Sequence, residues 1–269
     1  MTTASNHLRV TVVQLAAGQD LESNLTRLKH VLSGIGATDI IALPEVFAIR
    51  GSDQDYRANA QALNGPLVTL LAATARRHNA WVLAGSLIEA SDGKCYNTSL
   101  LLNRGGDTVA AYRKMHLFEA ELDSGRTIRE RDIYEAGNTP VMADLEGWRC
   151  GLTICYDLRF PELFRHYSAQ GAHLFFVPSN FTQHTGKDHW EVLLRARAIE
   201  NQCFVVAPNQ CGINPHSRVE SYGNSMVVGP WGEILARLEE GEQAATVTID
   251  LHDIHRTRRR IPALEHRKI

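Results

Sequence analysis

The strand-to-helix transition that organises this chain lies in Cys150-Gly151-Leu152-Thr153-Ile154-Cys155-Tyr156-Asp157-Leu158-Arg159-Phe160-Pro161-Glu162-Leu163. Its apolar run predicts a strand over 149–154. Pro161 predicts a helix over 161–169, since a proline fits the first turn, where its missing N–H would be unpaired anyway. Cys155 lies between the two, where the positive end of the helix dipole would lower the pKa of a thiol. Free N–H groups at such a turn also stabilise an oxyanion, so the pattern predicts a nucleophilic cysteine.

A packing role is the alternative for this cysteine, because free cysteine is among the most buried residue types. Cys150, which precedes the apolar run, fits that packing role better than Cys155 does. Two other polar residues end apolar strands, Glu45 after 40–44 and Lys114 after 110–113. Catalytic groups often lie at strand ends, on loops held by a rigid scaffold. A carboxylate that accepts the thiol proton and an ammonium that stabilises the oxyanion would complete a set sufficient for attack on a carbonyl.

Short β-rich runs alternate with helical stretches along the whole chain. Apolar spacing predicts helices over 20–32, 65–78, 161–169, 187–201 and about 251–260. Strands are predicted over 8–15, 39–43, 80–87, 97–103, 108–113, 149–154, 172–178, 203–208, 224–229, 234–238 and 244–250. Gly105-Gly106-Asp107 predicts a hairpin. The alternation indicates an α/β protein, and no break in composition divides residues 1–269 into more than one domain.

Composition and charge argue against several function classes. The formal net charge of -2 gives no preference for nucleic acid. Five irregularly spaced cysteines without a CxxC pair argue against disulfides and structural zinc and suit a reducing compartment. The twelve histidines include no HExxH, so we expect no metal and no cofactor. No apolar run is long enough to span a bilayer and no secretory leader is recognisable, so a cytoplasmic protein without a membrane partner is expected.

Three segments resemble the signature blocks of the nitrilase superfamily of carbon–nitrogen hydrolases. They are Leu-Pro-Glu45, Tyr-Arg-Lys114-Met-His-Leu-Phe and Gly-Leu-Thr-Ile-Cys155-Tyr-Asp-Leu-Arg-Phe-Pro-Glu, in the order typical of the family. The similarity extends over about residues 8–268. It implies a four-layer α-β-β-α sandwich, a triad of Glu45, Lys114 and Cys155, and a thioester intermediate. It also implies that Glu130, in Ile128-Arg129-Glu130, orients Lys114 and the substrate.

The resemblance further implies a role for each group. Cys155 attacks the amide carbon while Glu45 accepts its proton. Lys114 and the backbone N–H of Tyr156 hold the oxyanion. Glu45 then returns a proton to the leaving amine and activates the water that cleaves the thioester.

Two more segments, 179–201 and 222–228, resemble the nitrilase-like amidases, and among them the branch that acts on deaminated glutathione. That branch implies hydrolysis of the amide between a 2-oxoglutarate-derived acyl group and cysteinylglycine. The ω-amidase branch, which acts on α-ketoglutaramate, is the alternative, as is a hydrolase of another small amide. Relatives use the C-terminal end of the chain in subunit contacts, which implies a homodimer or a higher homo-oligomer.

An oxo-acid substrate requires a cation for its carboxylate, and guanidinium groups bind carboxylates bidentately. Arg50, Arg197 and Arg218 are the candidates, although each is also compatible with a structural ion pair or a surface position. Phe181 and Thr185 are candidates to line the acyl site, although Phe181 equally suits the core. Residues 125–134 are candidates for the pocket entrance.

Two functional alternatives follow from the same residues. The chain would be an inactive binding protein if the fold were used without its chemistry, but the complete Glu–Lys–Cys set argues against that. It would be a different thiol enzyme if Cys155 were paired with His116 or His166.

Overall fold

Two β-sheets lie at the centre of the computed structural model, which describes residues 5–121 and 127–269. The first sheet is ordered β17-β1-β2-β3-β5-β4, with β6 also paired to β5, and comprises β1 (His7–Gln14), β2 (Ile40–Ala42), β3 (Trp81–Leu83), β4 (Leu87–Ser91), β5 (Lys94–Leu102), β6 (Thr108–Arg113) and β17 (Gln243–Asp250). The second sheet is ordered β16-β15-β12-β11-β10-β9 and comprises β9 (Val141–Leu145), β10 (Trp148–Leu152), β11 (Leu174–Phe176), β12 (Phe204–Ala207), β15 (Met226–Val228) and β16 (Ile234–Arg237).

Smaller elements connect and flank these sheets. Two short hairpins pair β7 (Glu119–Glu121) with β8 (Thr127–Arg129), and β13 (Cys211–Ile213) with β14 (Glu220–Tyr222). The helices are α1 (Leu21–Ser33), α2 (Asp53–Ala58), α3 (Pro66–His78), α4 (Pro161–Ala169), α5 (Gln183–Asn201) and α6 (Leu251–Arg260). Two 3₁₀ turns cover Glu130–Asp132 and Cys155–Arg159.

The alternation of side chains along β2 shows how the layers form. Ile40 and Ala42 join the hydrophobic cluster shared with the second sheet, whereas Ile41 joins the cluster that includes α1 and α3. Successive side chains of a strand point to opposite faces, so a strand covered on both faces must be apolar throughout. On the far side of the second sheet, Phe175 packs its ring against Phe164 of α4 at 5.2 Å. The resulting order is helices, sheet, sheet, helices, and the predicted four-layer α-β-β-α sandwich is confirmed.

Some element boundaries differ from the sequence prediction. The strand predicted over 80–87 ends at Leu83. The chain then turns through Gly85 at φ +62°, where an added Cβ would lie 2.0 Å from the Pro44 carbonyl oxygen, so only glycine fits. The helix predicted over 187–201 begins one turn earlier, because Thr182 caps it by accepting a hydrogen bond from the Thr185 N–H. The elements α2, β4, β9 and the β13–β14 hairpin were not predicted.

Within residues 5–121 and 127–269, no helix combines the length and the apolar character needed to cross a membrane. All five cysteines are free thiols.

Candidate active site

Three strands of the two sheets end next to one another and present polar side chains to one cavity. Glu45 follows β2, Lys114 follows β6, and Cys155 follows β10. Glu45, Glu130 and Cys155 line a cavity of about 600 Å³, and the Lys114 ammonium lies behind them between the two carboxylates. The structure therefore brings together all four residues that the sequence predicts to be catalytic.

The Lys114 ammonium is the centre of a buried charge cluster. Its Nζ donates to Glu45 Oε1 at 2.9 Å and to Glu130 Oε1 at 2.8 Å. Burial alone would lower the pKa of Lys114, but the Glu130 and Glu45 carboxylates outweigh it and hold that pKa well above its usual value. Lys114 is thus a fixed cation beside the thiol, suited to stabilise negative charge on a substrate oxygen.

Glu45 and the residue that follows it are held by contacts from three other parts of the chain. Asn97 Nδ2 donates to Glu45 Oε1 at 2.9 Å, and Gln210 Nε2 donates to the Glu45 carbonyl at 2.9 Å. The next residue, Val46, has φ +48°, and its N–H donates to Ser86 Oγ at 3.0 Å. Asn97 lies within β5 and was not predicted, because nothing in a strand sequence shows which side chain reaches a carboxylate on another strand.

Glu130 occupies the start of a 3₁₀ turn at the other side of Lys114. Its second oxygen, Oε2, accepts a hydrogen bond from the Phe118 N–H at 2.7 Å. Burial raises the pKa of Glu130, while the neighbouring Lys114 opposes that rise. With one oxygen on Lys114 and the other on the backbone, Glu130 has the geometry expected of a residue that orients the ammonium.

Cys155 begins a 3₁₀ turn at a strained backbone position, with φ +46°. Its N–H donates to the Pro178 carbonyl at 2.9 Å. The 3₁₀ turn separates the thiol from α4, which begins only at Pro161. Burial and the Glu45 carboxylate raise the pKa of the Cys155 thiol well above its usual value, although Lys114 lowers it. This direction is opposite to the lowering expected from a helix dipole, so Cys155 requires a base that removes the thiol proton.

Several residues predicted to contact substrate do line the cavity. Tyr156, Phe181 and Thr185 are among them, and the Phe181 ring also packs 5.0 Å from Trp190, so it serves both the core and the cavity wall. Of the predicted entrance, described residues from Thr127 onward line the cavity, namely Thr127, Ile128, Arg129, Glu130, Asp132, Ile133 and Tyr134. Residues 125 and 126 lie outside the described part of the chain.

The three arginines predicted to bind a substrate carboxylate are placed elsewhere. Buried Arg50 donates to Ala17 O at 2.9 Å and to Ser221 Oγ at 2.6 Å. Arg197 donates through Nε and Nη2 to the Leu158 carbonyl. Arg218 is exposed, and like the other two it is absent from the lining of the cavity as the described residues define it. The guanidinium groups of Arg50 and Arg197 thus donate their hydrogen bonds to backbone and side-chain acceptors inside the protein.

A different arginine, Arg159, lines the cavity four residues after the thiol. Its guanidinium carbon lies 5.3 Å from the Phe181 ring centre and 5.9 Å from that of Tyr156. Within the described residues it has no carboxylate partner; its nearest polar contact is His189 Nδ1 at 3.4 Å. The other arginine of the lining, Arg129, is paired with Glu119 at 3.1 Å. The sequence prediction missed Arg159, although its position in the signature segment was a signal.

The Cys–His alternative has no support in this geometry. His116 Nδ1 lies 2.7 Å from Asp157 Oδ1, and His166 Nε2 contacts Gln170 Nε2 at 2.7 Å. Neither histidine is part of the cavity lining formed by residues 5–121 and 127–269. In the same residues, no group of three or more His, Cys, Asp or Glu side chains is arranged to hold a metal ion.

Comparison with known proteins gives consistent matches. The model of the carbon–nitrogen hydrolase family matches residues 9–259. A deaminated glutathione amidase from Synechocystis sp. is 37% identical over 262 residues, covering 95% of this chain and 96% of that protein. The structure of the Caenorhabditis elegans NitFhit protein matches with a TM-score of 0.90 at 36% identity. The match covers 98% of this chain and 66% of the longer NitFhit chain. Nit3 of Saccharomyces cerevisiae, a member of branch 10 of the nitrilase superfamily, has a TM-score of 0.87 at 29% identity, covering 100% of this chain and 99% of its own.

Proposed function

The chain belongs to the carbon–nitrogen hydrolase family and is an amidase, and we propose that it hydrolyses deaminated glutathione to 2-oxoglutarate and cysteinylglycine through a thioester on Cys155. One observation carries the proposal: Arg159, a guanidinium without a carboxylate partner among the described residues, shares a cavity with Cys155, Glu45 and Glu130. The relatives named deaminated glutathione amidase support the choice of substrate.

The proposed reaction uses Cys155 as the nucleophile and Glu45 for each proton transfer. Glu45 takes the thiol proton as Cys155 attacks the amide carbon, and the oxyanion is stabilised by Lys114 and the Tyr156 N–H. When the C–N bond breaks, Glu45 protonates the leaving amine of cysteinylglycine. Water, deprotonated by Glu45, then attacks the thioester carbon; as the C–S bond breaks, Glu45 returns the proton to sulfur, which releases 2-oxoglutarate and regenerates the Cys155 thiol. Because burial and the Glu45 carboxylate raise the pKa of Cys155, the reaction needs Glu45 as a base for the thiol proton.

Arg159 supplies the recognition of the acyl half. Its guanidinium lies beside the aromatic rings of Tyr156 and Phe181 and can bind a carboxylate through a bidentate contact. A 2-oxoglutaryl group carries a carboxylate at the end remote from the scissile amide, which fits a cation placed one turn away from the thiol.

The size of the cavity supports a peptide leaving group. A volume of about 600 Å³ lies in the middle of the usual range for sites that enclose ligands of drug size. α-Ketoglutaramate releases only ammonia and would leave much of that space unused. Deaminated glutathione places cysteinylglycine in the remaining volume.

The test is a direct comparison of two substrates. We expect release of cysteinylglycine from deaminated glutathione with a higher kcat/KM than release of ammonia from α-ketoglutaramate. Preference for α-ketoglutaramate would overturn the proposed substrate and leave the thioester chemistry intact.

Substitution Arg159→Gln should lower kcat/KM for deaminated glutathione by about 10- to 100-fold, because a charge-assisted contact with the carboxylate is lost. The effect should disappear with an analogue whose remote carboxylate is replaced by a neutral amide. Arg149→Gln, at an exposed arginine of β10, is the matched control. Equal losses with the charged and neutral substrates would show that Arg159 does not bind the carboxylate.

We also propose that the chain forms a homodimer through an apolar surface of α5 and its neighbours. Ile199, Trp231 and Ile261 are 51%, 45% and 51% exposed, which is unusual for large apolar side chains that lie together. Arg260 covers one face of the Trp231 ring at 4.4 Å. Analytical ultracentrifugation should find a dimer that Ile199→Glu converts to a monomer; a monomeric wild-type chain would contradict this.

A further inference from the structure

Asp157 belongs to the 3₁₀ turn over Cys155–Arg159 that carries the nucleophile, and its carboxylate is completely buried. Its Oδ2 accepts hydrogen bonds from the Tyr112 hydroxyl at 2.7 Å and from the Ile154 N–H at 2.8 Å. Its Oδ1 accepts from the His116 N–H at 3.1 Å and lies 2.7 Å from His116 Nδ1. A carboxylate has about four acceptor positions, so all of those on Asp157 are occupied.

These contacts join two separate parts of the active site. Tyr112 belongs to β6 and His116 follows it, so they bracket Lys114. Ile154 directly precedes Cys155 and follows β10, a strand of the other sheet. One buried side chain therefore connects the segment that carries the ammonium with the turn that carries the thiol.

The turn needs this support because its backbone is strained. A non-glycine residue at positive φ, as Cys155 is, costs of order 1–3 kcal/mol and persists only where surrounding contacts impose it. The Cys155 N–H is fixed from one side by the Pro178 carbonyl. From the other side the turn is fixed by Asp157 and by the Phe160 ring, which stacks on His116 at 3.7 Å with an interplanar angle of 9°.

We propose that Asp157 is a positioning residue, whose carboxylate sets the separation between the Cys155 thiol and the Lys114 ammonium. Asp157 is not part of the cavity lining among the described residues, so it acts through the two segments that it joins. The inference rests on the proposed roles of Cys155 and Lys114. Loss of this clamp, meaning the contacts of the Asp157 carboxylate, lets the Cys155 thiol and the Lys114 ammonium move apart, which lowers kcat more than it raises KM.

The substitution Asp157→Asn tests the clamp with almost no change in volume. The new amide places an N–H group where the carboxylate oxygen accepted hydrogen bonds, so it faces other donors. We expect kcat to fall roughly 10²-fold, the effect of a misplacement of about 1 Å. KM should change by no more than about threefold, since the cavity residues outside the turn, such as Phe181 and Thr185, are untouched. Alkylation of Cys155 by iodoacetamide, measured on the folded variant, should slow by about tenfold, because Glu45 and the thiol are no longer aligned.

The matched control is Asp39→Asn. Asp39 also accepts four hydrogen bonds, three from Arg9 and one from Arg104, but it precedes β2 whereas Glu45 follows that strand. This variant should lose stability and keep kcat within about threefold. A kcat for Asp157→Asn within that same range, or a rise in KM at constant kcat, would overturn the inference.

A second variant covers the case in which Asp157→Asn does not fold. Tyr112→Phe removes one donor to Oδ2 and also the acceptor of the Met115 N–H. It should lower kcat by about fivefold to tenfold at constant KM; an unchanged kcat would overturn the clamp. Cys155→Ala assayed in parallel separates the two claims, because activity in that variant would defeat the proposed function, whereas an inactive Cys155→Ala beside an unaffected Asp157→Asn would defeat only the positioning role.

Discussion

Substitution of Cys155 by alanine should abolish amide hydrolysis, with kcat lowered by at least roughly 10⁴-fold. The proposed mechanism has no second nucleophile: Glu45 and Glu130 are both engaged by Lys114. Release of cysteinylglycine measured by liquid chromatography gives the rate. Because the side chain removed is small and lies at the edge of the cavity, the variant should remain folded.

Cys150→Ala is the control for this loss. Cys150 is also buried and lies five residues earlier, on β10, but its Sγ contacts only the Trp148 carbonyl among acceptors of the described chain. Burial raises the pKa of the Cys150 thiol. This variant should lose stability and retain its turnover. Activity that survives in Cys155→Ala, or that is lost only in Cys150→Ala, would contradict the assignment of the nucleophile.

Substitution of Lys114 by alanine should have the second largest effect. Removal of one oxyanion donor costs about 3–4 kcal/mol of transition-state stabilisation, or at least ~10²-fold in kcat. The loss should be larger here, because Glu45 and Glu130 are left without the cation that separates their charges. Breaking such a buried cluster also lowers the free energy of unfolding by about 3–5 kcal/mol. Urea denaturation and steady-state kinetics measure the two effects separately.

Lys114→Arg discriminates between charge and geometry in this site. A guanidinium keeps the positive charge that Glu45 and Glu130 require, so most of the stability should return. Its planar, longer fork cannot place one donor on both carboxylates and on the substrate oxygen, so kcat should stay low. Recovery of turnover along with stability would show that Lys114 acts only as a structural counter-charge.

The sequence predicts those site residues that lie just after the end of a strand. The strands β2, β6 and β10 end at Ala42, Arg113 and Leu152, and Glu45, Lys114 and Cys155 each follow within three positions. The three strands belong to two sheets, β2 and β6 to the first and β10 to the second, so their ends make Glu45, Lys114 and Cys155 candidates, and the resemblance of the three segments to the family signatures singles them out. The two-faced burial of β2 follows from the same apolar pattern.

The sequence does not predict which of several distant partners a long side chain contacts. Arg50 and Arg197 satisfy carbonyls inside the protein, whereas Arg159 reaches the cavity, and no local pattern separates these outcomes. The prediction of a lowered pKa for Cys155 fails for a related reason. The sequence shows a helix after the thiol, but the 3₁₀ turn between them and the burial beside Glu45 are tertiary features.

Mass spectrometry of enzyme quenched with acid during turnover of deaminated glutathione is the most direct test of the central claim. The account predicts a population whose mass is increased by one 2-oxoglutaryl group, mapped by peptide digestion to Cys155 and absent from Cys155→Ala. Release of cysteinylglycine with no adduct at Cys155 at any time from the first turnover to the steady state would contradict it.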